Sequence, residues 1–204
     1  MLKFENLTVR YGKQTVIDRL NFDFPEGCVI AITGASGIGK TTLLNVIAGF
    51  LKPNGGSLLS DHHAPAYIFQ EPRLFPWMTA LENVTTVCDD PRRAAELLDR
   101  LLPDADAKNK YPHELSGGMK QRVSVARALA YHSDLLLMDE PFKGLDPETR
   151  EQVSRLVFEE SKGKTVLMVT HDREDLSYCD FLLRIEGAPV SQFILEKSGR
   201  GDGE

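Results

Sequence analysis

The stretch GASGIGKTT, Gly34 to Thr42, constrains this chain more than any other part of it. Its first eight residues fit the pattern G-x-x-x-x-G-K-[ST] without a mismatch. The pattern has a physical reason. Glycines let the backbone N–H groups of Gly34, Ala35, Ser36, Gly37, Ile38 and Gly39 turn inward around phosphate oxygens, and the following helix start adds a dipole that favours anions. Lys40 then reaches the β- and γ-phosphates, the Thr41 hydroxyl is placed to ligate Mg²⁺, and Thr42 closes the cradle. The flanks agree. CVIAIT, Cys28 to Thr33, is an apolar run of the kind buried on both faces of a parallel sheet, and KTTLLNVIAGF has helical spacing with Leu43, Leu44, Ile47 and Ala48 on one side.

LLLMDE, Leu135 to Glu140, is the natural companion of this cradle. A buried strand ends in Asp139, which would hold Mg²⁺ directly or through water, and Glu140 follows where a carboxylate can polarise an attacking water. Acidic residues end many buried strands, so it is the upstream cradle that gives this pair its meaning. Together they predict a Mg²⁺-dependent nucleoside triphosphatase. A second unusual stretch is LSGGMKQR, Leu115 to Arg122. Ser116 is a good N-cap, yet Gly117 and Gly118 each weaken the helix start by roughly 1 kcal/mol. The stretch is either a flexible cap or a second phosphate-gripping helix start. On the latter reading, two chains share each nucleotide.

Strands are expected at Leu2–Val9, Val16–Phe24, Cys28–Thr33 and Ala66–Gln70, and again at 134–139, 165–172 and 180–186. Helices are expected from Lys40, Pro91, Ser116 and Pro147. Strands alternating with helices imply an α/β chain with a mostly parallel sheet, an antiparallel N-terminal edge and a helical insertion at roughly 72–130. One domain over 1–197 is expected, followed by a small polar tail, 198–204, expected to be disordered.

The net charge of −6 argues against a nucleic-acid partner, which would need clustered Lys and Arg. Three scattered cysteines fit a reducing cytoplasm, and no apolar run approaches the ~20 residues of a membrane span. Any membrane part is therefore expected from another chain.

GASGIGKT, Gln70 in YIFQEP, LSGGM, LLLMDE, GLD at 144–146 and His171 in VTHD occur in the order of the ATP-binding cassette ATPases, and the resemblance runs from about residue 2 to about 186. It implies a P-loop NTPase fold: a RecA-like core with an antiparallel β-subdomain and an inserted helical subdomain. It also implies ATP and Mg²⁺ as ligands, and a head-to-tail homodimer in which the LSGGM segment of one copy faces the cradle of the other. By the same resemblance Tyr11 stacks on adenine with Val16 nearby, and Gln70 senses Mg²⁺ and the γ-phosphate. Glu140 is the general base, His171 the γ-phosphate switch and Asp146 part of the contact between copies. From the residues alone, Tyr11 reads as a turn aromatic and His171 as a structural histidine, although His171 sits at the strand end where parallel sheets place ligands.

The apolar cluster Leu74, Phe75, Trp77 and Met78 is either the small core of the helical insertion or a docking groove for a partner helix. In the family this region receives a membrane subunit, with a solute-binding protein acting indirectly. That places the chain in the cytoplasm, on the inner face of the membrane. FQEPRLFPW with LSGGM resembles importers of nitrate, sulfonate, taurine or thiamine precursors. An exporter subunit and a soluble cassette mechanoenzyme are the other readings. His62 and His63 read as a solvated loop, with metal binding as the alternative. Lys143, in PFKGLD where PFSALD is more frequent, reads as a solvated surface lysine that could also adjust turnover.

Overall fold

In a computed structural model, residues 1–62 and 64–198 are described; His63 and the expected tail beyond Ser198 lie outside the described residues. The strands are β1 (Leu2–Tyr11), β2 (Gln14–Asp23), β3 (Val29–Thr33), β4 (Gly55–Ser60), β5 (Ala66–Ile68), β6 (Leu135–Asp139), β7 (Thr165–Val169), β8 (Phe181–Ile185) and β9 (Phe193–Lys197). The helices are α1 (Lys40–Ile47), α2 (Ala80–Thr85), α3 (Pro91–Leu101), α4 (Gly117–Ala130), α5 (Pro147–Glu160) and α6 (Arg173–Leu176).

Two sheets form. One has the order β2-β1-β4 and is antiparallel; the other has the order β5-β6-β7-β3-β8-β9. In the second sheet every pairing is parallel except β8 with β9. The N-terminal strands therefore do not edge the parallel sheet, as their sequence order suggested, but stand as a sheet of their own. The antiparallel edge belongs to β9, at the far end of the chain. Neither β4 nor β9 is expected from the sequence, because GGSLLS and FILEK are short and their partners, β1 and β8, carry the register.

β6 and β7 are buried along their whole length, as their unbroken apolar runs require in a sheet covered on both faces. One core packs the two sheets and α1 together; the other joins the parallel sheet to the helical insertion and α5. A cluster of edge-on rings, Phe22 against Phe24 at 4.8 Å and Phe22 against Phe193 at 5.1 Å, links β2 to β9. Val190 adds a bridge to the same strand, with its N–H donating to the Val16 carbonyl at 2.9 Å.

Helix starts are set locally. Thr79 and Glu82 form a capping box on α2, Asp90 caps α3 ahead of Pro91, and Asp146 caps α5 ahead of Pro147. Within the insertion, Asn83 is fully buried and both ends of its carboxamide are hydrogen-bonded. It accepts from the Phe75 N–H at 2.8 Å and donates to the carbonyls of Phe75, Met78 and Thr79 at 3.2, 3.1 and 2.9 Å. This clasp fixes the 75–79 loop against α2.

Candidate functional site

The phosphate loop leaves β3 and enters α1, so its N–H groups gather at the carboxyl end of the parallel sheet. Two glycines are required by contact as well as by backbone angle. A Cβ on Gly39, at φ +116°, would lie 2.7 Å from Val16 Cγ1, and one on Gly34, at φ +153°, would lie 2.8 Å from the Ile185 carbonyl oxygen. Val16 thus packs the β2 lobe directly onto the loop. The Tyr11 hydroxyl reaches within 3.5 Å of Thr42 Oγ1, which sets the half-exposed ring above the start of α1.

Lys40 is 7% exposed and donates to the Gly34 and Ala35 carbonyls, each at 2.9 Å. Burial lowers its pKa, against the opposing pull of Glu140 and Asp139. Thr41 Oγ1 donates to Asp139 Oδ2 at 2.8 Å, tying the loop to the end of β6. Asp139 is 5% exposed; burial pushes its carboxyl above the ordinary range, and the Thr41 bond only partly opposes this. A hydroxyl, a desolvated carboxylate and the Gln70 carboxamide border one cavity of 320 Å³. Hard oxygen donors of this kind suit Mg²⁺, and a carboxylate that lacks solvation gains most from a cation. The residues fit that ion.

Glu140 occupies the left-handed region, φ +46°, with its N–H donating to the Val169 carbonyl at 2.9 Å. The strained backbone swings its carboxylate out of the sheet into the cavity. There Oε2 accepts from Gln70 Nε2 at 3.2 Å and from Lys143 Nζ at 2.7 Å, while Oε1 lies 3.9 Å from His171 Nε2. Lys143 is thus ion-paired within the site rather than merely solvated.

Ser116 caps α4, accepting from the Met119 N–H at 3.2 Å, but it does not border the phosphate cavity, nor do Gly117 and Gly118. Asp146 is exposed and accepts from the Thr149 N–H at 3.0 Å. These four residues are not brought to the phosphate loop of their own chain.

Sequence reading misses several supports. Gln121 of α4 donates to the carbonyls of Pro141 at 2.7 Å and Phe69 at 3.3 Å, joining the segments on either side of Glu140 and Gln70. Arg150 contacts Asp172 at 2.6 Å and Asp175 at 2.8 Å, and Asp175 accepts from Thr170 Oγ1 at 2.5 Å, bracing the turn that carries His171. No spacing rule links such residues, since each bond crosses between elements. A third feature is aromatic. Tyr67 and Phe69 stack at 4.1 Å, Phe50 lies 5.8 Å from Tyr67, and Arg73 covers Phe69 at 4.2 Å. With Phe75 they border a groove of 370 Å³. Alternation around buried Ile68 is the signal that could have found Tyr67 and Phe69.

The cluster at 74–78 divides between its two readings. Leu74 packs on the core, whereas Phe75 and Trp77 are exposed at 39% and 68%. His62 is held by Asp134 at 2.8 Å, so it is not a solvated loop residue, and its neighbours Glu26 and Asp61 both bond the Met1 ammonium. That acidic pair already has its cation.

A family profile described as ABC transporter matches residues 17–143. The taurine import ATP-binding protein TauB of Rhizobium johnstonii is 41% identical over 197 residues, covering 86% of this chain and 75% of that protein. The aliphatic sulfonates import ATP-binding protein SsuB of Yersinia pestis is 40% identical, covering 91% and 72%. Among solved structures, the dimeric post-hydrolysis state of the ATP-binding cassette MJ0796 bound to ADP and phosphate superposes with a TM-score of 0.85 at 29% identity, covering 97% of this chain and 98% of that one. Profile, relatives and superposed cassette agree with one another, and the chain belongs to the ABC transporter family as an ATP-binding, ATP-hydrolysing cassette.

Proposed function

We propose that this cassette powers solute import through a separate membrane subunit, working as a head-to-tail pair of copies. Alkyl sulfonates such as taurine are the solute class, by likeness to the named relatives. One observation carries the coupling: the aromatic groove and the hydrolytic cluster share a single segment. Tyr67 and Phe69 face the groove while the next residue, Gln70, bonds Glu140. A helix of the partner seated among Phe50, Phe69, Phe75 and Trp77 would press directly on the strand end that presents Gln70. Among the described residues no helix is long and apolar enough to cross a membrane, so the span is assigned to that partner.

Within the site, Lys40 and the loop N–H groups hold the β- and γ-phosphates, with Tyr11 and Val16 against the adenine side. Thr41, Asp139 and Gln70 hold Mg²⁺, which when bound neutralises phosphate charge. Glu140 orients the attacking water and takes its proton, a role worth about 10²–10⁴ in rate. His171, braced through Thr170 and Asp175, contacts the γ-phosphate. Ser116, Gly117 and Gly118 reach the partner copy's nucleotide, and Asp146 lies at that junction.

The test is to tag the chain in its host, solubilise membranes gently and identify what co-purifies. A multi-spanning protein in near-equal amount is the expected result, and Trp77→Ala should reduce its recovery without changing the stability of the isolated chain. Recovery of soluble partners or nucleic acid alone would overturn the importer reading.

A further inference from the structure

We propose that Lys143 is the counter-ion of Glu140: it offsets the carboxylate that confronts a γ-phosphate and so lets the site accept ATP in preference to ADP. The inference rests on the reading of Glu140 as the water-activating base.

The pairing is built by the backbone. The turn after β6 returns the Lys143 N–H to the Glu140 carbonyl at 3.2 Å, and this folds the lysine stem back over the carboxylate it follows by three residues. Nζ then sits 2.7 Å from Oε2, on the wall of the same cavity that Lys40, Ser36 and Thr41 border. The charges facing that cavity are few. Asp139 and Glu140 are adjacent carboxylates; Lys40 and Lys143 are the ammonium groups, and His171 completes the rim. Lys40 belongs to the phosphate loop through its two carbonyl bonds. Among the described residues facing that cavity, Lys143 is therefore the ammonium that pairs with Glu140 rather than with the loop.

A γ-phosphate entering this cavity brings negative charge towards Glu140, whereas ADP ends one phosphate short of it. An unbalanced Glu140 would repel the two nucleotides unequally. The pair is also suited to being given up. Lys143 is 59% exposed, and exposed ion pairs are held by only about 0–1 kcal/mol. Glu140 can thus shed its partner when it must accept a proton.

The experiment measures Mg²⁺-dependent binding of adenylyl imidodiphosphate and of ADP to the purified full chain by calorimetry, and nucleotide-driven pairing of copies by ultracentrifugation. Lys143→Ser is expected to weaken the triphosphate analogue about threefold to tenfold, as one water-screened charge at this range predicts, and to leave ADP within about twofold. Lys143→Arg should restore the analogue. In a Glu140→Gln background Lys143→Ser should change nothing, because the charge it balances is gone. Equal losses for both nucleotides, no loss for either, or a loss that persists with Glu140→Gln would each overturn the proposal, the last by making Lys143 a direct phosphate ligand. None of these readouts depends on a membrane partner. Hydrolysis by Glu140→Gln at the wild-type rate would remove the base reading while leaving the charge coupling measured.

Discussion

The phosphate loop and the start of α4 are both glycine-rich helix entrances, yet the chain treats them in opposite ways. At the loop most of the special residues meet something of their own molecule: Gly34 against Ile185, Gly39 against Val16, Lys40 on two carbonyls, Thr41 on Asp139, while Gly37 is open but sits at φ +74°. At α4 a Cβ on Gly117 would meet nothing within 4 Å, and Ser116 is exposed. The first set is explained within the chain, by packing at Gly34 and Gly39 and by backbone angle at Gly37. The second gains nothing inside the chain, where an alanine would serve the helix better. Its cost fits the proposed contact with a nucleotide held by another copy.

The contrast can be broken most forcefully at Glu140. Glu140→Gln should slow hydrolysis by about 10²–10⁴-fold while nucleotide-bound paired copies accumulate, measured by phosphate release and by sedimentation. A wild-type rate would detach the strained residue from the chemistry. Gly117→Ala sharpens the comparison from the other side. It should stabilise the isolated chain by roughly 1 kcal/mol through helix propensity, and still abolish ATP-driven pairing. A variant that is both stabler and fully active would return α4 to an ordinary helix start.

The smallest effect expected is on Asp139. Its pKa is raised in the folded chain, chiefly by burial, so the stability it contributes is present below the ordinary value of 3.8 and is lost as pH rises through the folded value. Asp139→Asn should therefore raise the melting temperature of the nucleotide-free chain at pH 7, by about 2–4 °C per kcal/mol relieved, with no gain near pH 3. The same variant should lose the stabilisation that Mg²⁺ adds to ATP. A melting temperature unchanged at both pH values would show that burial imposes no charge penalty there.

Much of this was legible because it is local. The loop pattern, the apolar run of β6 and the order of the short motifs lie in contiguous residues, and the buried pentapeptides of β6 and β7 declare a parallel sheet by composition. What escaped is non-local. β4 and β9 exist because β1 and β8 accept them; the separate antiparallel sheet itself matches the β-subdomain that the family resemblance implied, though strand order alone did not give it. The Arg150 brace joins residues 25 apart, and Gln121 reaches back 52 residues to Phe69. Lys143 is only three residues from Glu140, yet the ion pair needs a left-handed residue that the letters DEPFK do not advertise.

Gln121 also bounds how far the helical insertion can travel. Its amide is the shared anchor of two carbonyls, one beside each residue that faces the γ-phosphate position, and its own Oε1 is already buried without a partner. Tilting α4 outward must either carry both segments along or strand a second polar atom in the core, at about 1–3 kcal/mol. Under the proposed coupling, motion passed to a membrane partner would be restrained by these two bonds. Any motion of the groove would then reach Glu140 through Phe69 and Gln70, the two residues that follow β5.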